Sequence, residues 1–278
     1  MTFAQAAETP PTLPEGVGIV PRRFSFRDLD SIPKYWFGGN KIVTHIENAF
    51  SILIPPGERF FIRSVRNYAD RIDDPEFAKL VEAFVHQEGH HTRAHNEFNR
   101  HLGDHGVAID REEAYAARLM ERASRWLPKK IQLGITVFFE HLTATGAHML
   151  FAEPEFARHI HPEALRFWRW HAAEELEHKA VAFDLLRRVG GGYGVRVLSA
   201  LIGLLWFGPA MAMMVRRMAK EDPEPMTDEM RAQARALDKL SRQVQTPLLL
   251  AYFKPGFHPW DVSDEAYVAE FSASPETR

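Results

Sequence analysis

Two Glu-x-x-His motifs, residues 88–91 (EGHH) and 175–178 (ELEH), constrain the fold of this 278-residue chain more than any other feature. Residues three apart on an α-helix project from the same face, so each motif directs a carboxylate and an imidazole to one point only if it is helical. From about Lys41 onward, apolar residues recur with helical rather than alternating spacing. The sequence therefore predicts an all-α chain in which two helices present the same pair of donor groups.

Proline, glycine and aspartate clusters divide the chain into helices. Pro55 and Pro56 precede Gly57 and predict a helix boundary, because proline lacks a backbone N–H and suits a first turn. Asp74 before Pro75 is a favourable N-cap. The predicted helices cover about residues 57–71, 75–102, 110–126, 128–151 and 163–189.

The distance of a residue from the turn of a helical hairpin, its depth, selects the two glutamates that complete the set of ligands. In the second hairpin, Glu140 lies about as far before the turn as Glu175 lies after it. In the first hairpin, Glu58 lies at the depth of Glu88, whereas Glu47 lies roughly three helical turns away. We therefore select Glu58 over Glu47.

The resulting set repeats one plan twice, a lone glutamate followed by Glu-x-x-His, and predicts a centre for two metal ions in a four-helix bundle. His95 and His171 fall on the same helix faces and are candidates for additional ligands or for groups that orient the carboxylates. A solvated, histidine-rich surface is the alternative, but apolar neighbours such as Phe84 and Phe138 favour a buried site. The predicted metal ligands are Glu58, Glu88, His91, Glu140, Glu175 and His178.

Composition restricts the chemistry further. The chain has no cysteine, which excludes disulfides, thiolate metal sites and cysteine nucleophiles. The site must use nitrogen and oxygen donors, which suit Fe, Mn or Zn. The net charge of −3 gives no reason to expect a nucleic acid partner. Residues 1–35 predict a flexible or extended leader without a signal peptide, and residues 36–278 a single helical domain, expected in the cytoplasm.

Residues 197–215 contain no charged side chain, and arginines flank them on both sides. We predict a strongly apolar helix over residues 195–218, one of the additional helices that follow the bundle. It is just long enough to span a bilayer, but burial against the bundle or a position at the inner membrane surface also suits it. Contact with lipid would favour a small hydrophobic substrate.

Several stretches resemble a family of bacterial proteins described as predicted metal-dependent hydrolases of the ferritin-like type. The similar stretches are PPGERFFIRSVRNY, FVHQEGHHTRAHNEFN, FFEHLTA, WRWHAAEELEHKAVAFDLL and FKPGFHPWD. The resemblance covers about residues 25–262. It implies a two-metal bundle and supports Glu58 as a ligand, while His95 also lies in a matching stretch.

The ligand set leaves the reaction open. We favour a di-iron enzyme that uses O₂ and an electron donor to oxidise a hydrophobic molecule, because iron or manganese suits mixed Glu and His ligands. The alternative is two-metal hydrolysis, which the name of the family implies and which would be metal-driven, since no Gly-x-Ser-x-Gly motif is present. A non-catalytic metal-binding bundle is the third hypothesis.

Overall fold

A computed structural model of the chain describes residues 13–274 and confirms the predicted all-α fold. Within this range the only bridge between extended residues is the isolated pair Phe37 and Ile160. Short 3-10 helices lie at Leu29–Ser31, Ala69–Arg71 and Pro259–Asp261. The α-helices are α1 (Lys41–Arg66), α2 (Pro75–Asp104), α3 (Ile109–Trp126), α4 (Lys129–Ala152), α5 (Pro154–Ala157), α6 (Pro162–His178), α7 (Val181–Arg188), α8 (Tyr193–Glu221), α9 (Asp228–Ala251) and α10 (Glu265–Ala273).

Four helices form a closed bundle. Helix α1 packs on α2, α4 packs on α6, and contacts of α1 with α4 and of α2 with α6 complete the ring. The interior holds two apolar clusters, one around Phe98 and Phe167 and the other around Phe60 and Phe84. Helix α8 packs on the outside of α1 and α4. It is the predicted apolar helix, and its ends extend slightly beyond residues 195–218.

The first two bundle helices begin at side-chain caps. Asn40 Oδ1 accepts hydrogen bonds from the backbone N–H groups of Ile42 and Val43 at the start of α1. Asp74 Oδ1 accepts from Glu76 and Phe77 at the start of α2, as its predicted N-cap role requires. These caps satisfy backbone donors that have no partner inside the helix.

The predicted helix boundary at Pro55 and Pro56 is wrong, because both prolines lie inside α1. Pro55 has no N–H to donate to the carbonyl oxygen of Ser51, four residues earlier. The Asn99 side chain supplies the replacement, since its Nδ2 donates to Ser51 O over 3.3 Å. A donor from α2 therefore satisfies the carbonyl that Pro55 leaves without a partner inside α1.

The single helix predicted over residues 163–189 is divided in the structure. Helix α6 ends at His178, and α7 begins at Val181. At the break Lys179 is buried, and its Nζ donates to Val262 O over 2.8 Å and to Asp264 Oδ2 over 2.6 Å. The helix is thus interrupted directly after the last residue of the second Glu-x-x-His motif.

The described part of the predicted leader is mostly irregular, but it packs onto the bundle. Phe24 and Ile32 are buried in the first apolar cluster. Residues 1–12 lie outside the described residues. The division into a leader and a single domain over residues 36–278 stays a prediction.

Candidate metal centre

The structure brings all six predicted ligands together in the bundle interior, where each is at most 3% exposed. Each of the four bundle helices contributes at least one of them. The donor atoms fall into two groups, and within each group they lie within 4.8 Å of one another. One group is Glu58, His91 and His171, and the other is Glu88, Glu175 and His178.

The first group joins α1, α2 and α6. His91 Nδ1 lies 3.6 Å from Glu58 Oε1. The imidazole rings of His91 and His171 stack with their centroids 4.1 Å apart. The structure thus places His171, predicted only as an additional ligand, directly beside the motif histidine.

The second group joins α2 and α6 around His178, and Glu140 of α4 lies beside it. His178 Nε2 lies 3.3 Å from Glu88 Oε1 and 3.2 Å from Glu140 Oε2. Glu140 therefore lies at the depth that the hairpin geometry predicted, although it is not part of the three-residue group. Together with Glu140, the two groups carry three imidazoles and four carboxylates.

Glu175 lies between the two groups and faces both. Its Oε1 is 2.9 Å from His171 Nε2 and 3.6 Å from His91 Nδ1. Its Oε2 is 3.5 Å from His178 Nε2. A carboxylate in this position could supply a ligand atom to a metal ion in either group.

Many of the buried donor atoms have no hydrogen-bond partner. Burying polar groups without partners costs several kcal/mol each, so buried polar atoms are nearly always hydrogen-bonded. A pair of metal ions would satisfy this set, because every member is a nitrogen or oxygen that can coordinate. The unpartnered atoms are Glu58 Oε1, both Glu88 oxygens, both Glu140 oxygens, His91 Nδ1, His171 Nε2 and His178 Nε2.

Burial and mutual charge shift the pKa values of these groups. Burial raises the pKa of Glu58 and of Glu88 well above the ordinary value, and raises that of Glu140 to about 7. Burial lowers the pKa of His178, but the Glu140 carboxylate and Glu175 outweigh this effect and raise it to about 10. Burial opposes ionisation of Glu175 as well, but His171 and His178 hold its pKa well below the usual range.

Hydrogen bonds on the side of His178 away from the cluster determine which of its ring nitrogens can bind a metal ion. Gln87 Nε2 donates to Glu177 Oε2 over 2.8 Å, so Gln87 Oε1 faces His178 Nδ1 as an acceptor, 2.9 Å away. Nδ1 must therefore keep a proton, so Nε2, which faces the carboxylates, is the nitrogen that can exchange its proton for a metal ion. His91 is held in the opposite sense, because its Nε2 lies 3.1 Å from Glu174 Oε2 and donates to that carboxylate when it is ionised, which leaves Nδ1 facing the cluster.

A longer chain of hydrogen bonds determines the tautomer of His171. Ser51 Oγ donates to Asn99 Oδ1 over 2.7 Å, so it accepts from His95 Nδ1 at 2.8 Å. His95 Nε2 is then the acceptor for His171 Nδ1, 3.0 Å away. This order keeps a proton on His171 Nδ1, so Nε2, 2.9 Å from Glu175 Oε1, is the nitrogen that can exchange its proton for a metal ion. His95 thus contacts His171 through a hydrogen bond, and its role as an additional ligand or as an orienting group stays a prediction.

The N-terminal segment closes the outer side of the centre. The Arg22 backbone N–H donates to Glu174 Oε1 over 2.7 Å, and its guanidinium Nη2 donates to Glu177 Oε1 over 2.7 Å. Val20 N also donates to Glu177 Oε2 over 3.1 Å. These contacts fix the two glutamates that support His91 and Gln87.

Sequence reasoning missed Gln87, Arg22 and two threonines of the centre. Thr92 Oγ1 donates to Glu58 Oε2 over 2.6 Å, and Thr143 Oγ1 donates to Glu175 Oε2. A signal for Thr92 was present, because it lies four residues after Glu88 on a helix face that continues through His95 and Asn99. No comparable pattern points to Arg22, which precedes every helix of the bundle.

An apolar cavity of about 440 Å³ reaches the centre from one side. Its inner end is formed by Glu58, His171 and Glu175, and most of its wall is aliphatic or aromatic. Glu47, rejected as a ligand by its depth, lines this cavity instead. The volume lies within the range of about 300–1,000 Å³ that is common for small-molecule sites.

The fold and its buried Glu/His groups define a helical bundle that could hold metal ions. Comparison with known families agrees, since a family described as predicted metal-dependent hydrolase matches residues 20–263. The chain therefore belongs to the predicted metal-dependent hydrolase family, as the resemblance of its motifs indicated. No curated protein and no solved structure matches it.

Proposed function

We propose that this chain is a hydrolase that uses two metal ions and acts on a substrate with a hydrophobic part. The observation that carries the proposal is the apolar cavity whose inner end is formed by residues of the buried Glu/His cluster. The family description supports hydrolysis as the reaction. This description favours hydrolysis over O₂-dependent oxidation, the reaction that we preferred from the ligand types alone.

The proposal assigns one ion to Glu58, His91 and His171, and the other to Glu88, Glu140 and His178, with Glu175 between them. The inward-facing nitrogens of the three histidines support this assignment, because each lies beside carboxylates of the cluster and has no hydrogen-bond partner. A glutamate from each of two helices and a Glu-x-x-His motif from each of two others is the donor pattern of ferritin-like two-metal proteins. We infer the ferritin-like relationship from this pattern.

Two metal ions held there would polarise a scissile carbonyl or phosphoryl group and lower the pKa of a water molecule. The residues of the chain position and shield the reacting groups. Glu174, Gln87 and His95 hold the imidazoles in one tautomer each, while Thr92 and Thr143 hold carboxylates in place. Supporting hydrogen bonds of this kind typically change metal affinity or activity by about 10–100-fold.

The cavity determines which substrates fit. Phe50, Leu53 and Phe139 contribute to its apolar wall, which offers no charged partner along most of its length. A linear or flat hydrophobic group can lie along this wall with its reactive end at Glu175. Charged metabolites would lose their hydration without replacement contacts, so we expect the enzyme to reject them.

Oxidation with O₂ remains the second candidate, because a bundle of glutamates and histidines without thiolates also suits two irons. The same residues would serve as ligands, and the reaction would need an electron donor. The two reactions differ in what they consume. Hydrolysis requires only water, whereas oxidation consumes O₂ and reducing equivalents.

The decisive experiment measures metal content per chain after anaerobic loading with Fe(II), Mn(II) or Zn(II). The wild-type protein is compared with the Glu175→Ala/His178→Ala variant and with a His101→Phe control, which changes a buried histidine outside the cluster. We expect about two ions per chain in the wild type and the control, and none in the double variant. Absence of bound metal in folded wild-type protein would overturn the proposal.

Activity measurements on the loaded protein then separate the reactions. We expect hydrolysis of nitrophenyl esters with acyl chains of increasing length, without O₂ uptake. O₂ consumption with a chemical reductant and no ester cleavage would favour oxidation. Two bound ions with neither activity would favour the non-catalytic bundle.

A further inference from the structure

The outward face of α8 is apolar where a surface helix is normally polar. Its exposed side chains at helical spacing include Leu198, Leu201 and Leu205, of which Leu205 is 74% exposed. Leu204 and Met213 broaden the same face. A soluble helix places charged and polar residues on this side, and a contiguous exposed apolar face of this length indicates a contact surface.

The opposite face of α8 is firmly attached to the bundle. A methyl group added to Gly134 of α4 would lie 2.3 Å from Ser199 Oγ, so the two helices pack with almost no space between them. Phe207 and Met214 are buried on the same inner side. In the described part of the chain, α8 alone is long and apolar enough to cross a membrane, but 33% of its most apolar stretch is buried. Its packing favours a position along a surface.

The charged side chains that flank this face are mostly basic, although Glu221 ends α8. No acidic residue occurs between positions 189 and 220. Arg187 and Arg188 are exposed before α8, and Arg216 and Lys220 are exposed near its end. Basic residues at the ends of an apolar helix face suit the headgroups of an anionic lipid bilayer, which attract each such residue by about 1 kcal/mol.

The cavity opens beside this face. Leu204, Gly208 and Met211 of α8 line the cavity wall, and Leu204 is 46% exposed. Ile46 of α1 also lines the cavity and is 42% exposed. The exposed lining residues therefore place the mouth of the cavity at the edge of the apolar face, and its inner end at the Glu/His cluster.

We propose that the exposed face of α8 docks this protein on an anionic lipid bilayer, and that the cavity takes up a lipid acyl chain from that bilayer. The uptake step rests on the proposed function only in naming the acyl chain as part of the substrate. Docking itself requires neither metal nor turnover. A second copy of the chain could also cover an apolar face, but the basic ends would then repel each other in a symmetric pair.

Docking is tested by co-sedimentation with vesicles of phosphatidylglycerol mixed with phosphatidylcholine, and with vesicles of phosphatidylcholine alone. We expect the full chain to bind the anionic vesicles, and Leu198→Gln/Leu205→Gln to lose at least about 10-fold in affinity. Arg216→Gln/Lys220→Gln should weaken binding to the anionic vesicles by about 25-fold. Val20→Gln, a change of an exposed valine outside α8, is the matched control and should bind normally.

Docking is overturned if the wild type binds neither vesicle, or if it binds as well after the leucine substitutions. It is also overturned if the wild type sediments as a dimer that these substitutions convert to monomers. The Glu175→Ala/His178→Ala variant should still bind vesicles. If this variant loses activity but still binds vesicles, docking does not depend on the proposed metal centre. A failure of the centre can then be distinguished from a failure of docking.

Uptake of an acyl chain is tested with cis-parinaric acid, a fluorescent fatty acid. Its binding is followed by energy transfer from Trp168 and Trp36, which line the cavity. Gly146 lines the same wall and has open space at its Cβ position, so Gly146→Leu fills the cavity without a backbone clash. We expect this variant to lose the transfer and keep vesicle binding.

Equal transfer in the wild type and in Gly146→Leu, or none in the wild type, would overturn uptake. Gly208→Leu provides a second blocking variant, because Gly208 also lines the cavity and has open space at its Cβ position. Folding of both variants is checked by their helical circular dichroism.

Discussion

His178 and Lys179 are adjacent and both are buried, yet they face two different kinds of polar region. His178 faces the Glu/His cluster, where carboxylate oxygens and imidazole nitrogens have no hydrogen-bond partner. Lys179 faces Asp264, whose Oδ2 accepts from Lys179 and whose Oδ1 lies 2.6 Å from His148 Nδ1. Buried charged groups that have hydrogen-bond partners therefore support the fold, whereas buried polar atoms without such partners indicate a missing ligand.

The largest expected effect on stability comes from breaking the satisfied region. Lys179→Met leaves Asp264 buried without its ammonium partner and should lower the free energy of unfolding by about 3 kcal/mol. Urea denaturation of metal-free protein measures it. Lys79→Met, in the exposed pair with Glu76, is the control and should leave stability unchanged. An equally stable Lys179→Met variant would show that this ion pair does not support the fold.

The next effect tests how the cluster is oriented. His95→Phe removes the acceptor for His171 Nδ1 and should weaken metal binding by about 10–100-fold, measured by competition with a chelator. His95→Gln can still accept this hydrogen bond and should retain most of the affinity. His101→Phe is the matched control, because Ile32 O keeps a contact with His105 Nε2 at 3.2 Å. Equal losses at His95 and His101 would contradict an orienting role.

A smaller effect distinguishes the two regions directly. Glu140→Gln should change the unfolding free energy of metal-free protein by no more than about 1 kcal/mol, because burial disfavours the charged carboxylate and this offsets the loss of its contact with His178 Nε2. In metal-loaded protein the same variant should lose much of the metal-dependent rise in Tm, measured by calorimetry. If Glu140→Gln destabilises the metal-free protein as strongly as Lys179→Met, the proposed difference between the regions is wrong.

The smallest effect is the pH dependence of the satisfied region. Burial opposes ionisation of Asp264, but the hydrogen bond from His148 and the charge of Lys179 hold its pKa below the ordinary value. A lowered folded-state pKa stabilises the protein above the unfolded-state value near ~3.9, and this contribution is lost as pH falls through the folded-state pKa. Metal-free wild type should thus be more stable than Asp264→Asn at pH 7, with the difference shrinking below about pH 4. A constant difference down to pH 2 would contradict this linkage.

The sequence predicted the elements that depend on local periodicity. Helical spacing placed Glu88 with His91 and Glu175 with His178, and hairpin depth placed Glu58 and Glu140 opposite them. These arguments need only the rise and turn of a helix. They also predicted the apolar helix, because a long uncharged segment leaves few other structures open to it.

The remaining features depend on contacts between distant parts of the chain. Arg22 reaches Glu177 across 155 positions, and no periodicity connects such residues. The break after His178 accompanies the buried contact of Lys179 with Asp264, which lies 85 positions later. The role of His95 depends on which hydrogens its neighbours donate, and sequence spacing alone cannot distinguish a ligand from its support.

The prolines inside α1 have a consequence for how this family can vary. Because Pro55 cannot donate, Ser51 O is left for Asn99, and Asn99 begins the order of hydrogen bonds that ends at His171. A residue with an N–H at position 55 would compete for that carbonyl and release Asn99. We therefore expect positions 51, 55, 95 and 99 to change together across relatives. The proline at position 55 of α1 should then occur in the same relatives as the hydrogen-bond order that sets the tautomer of His171 in α6.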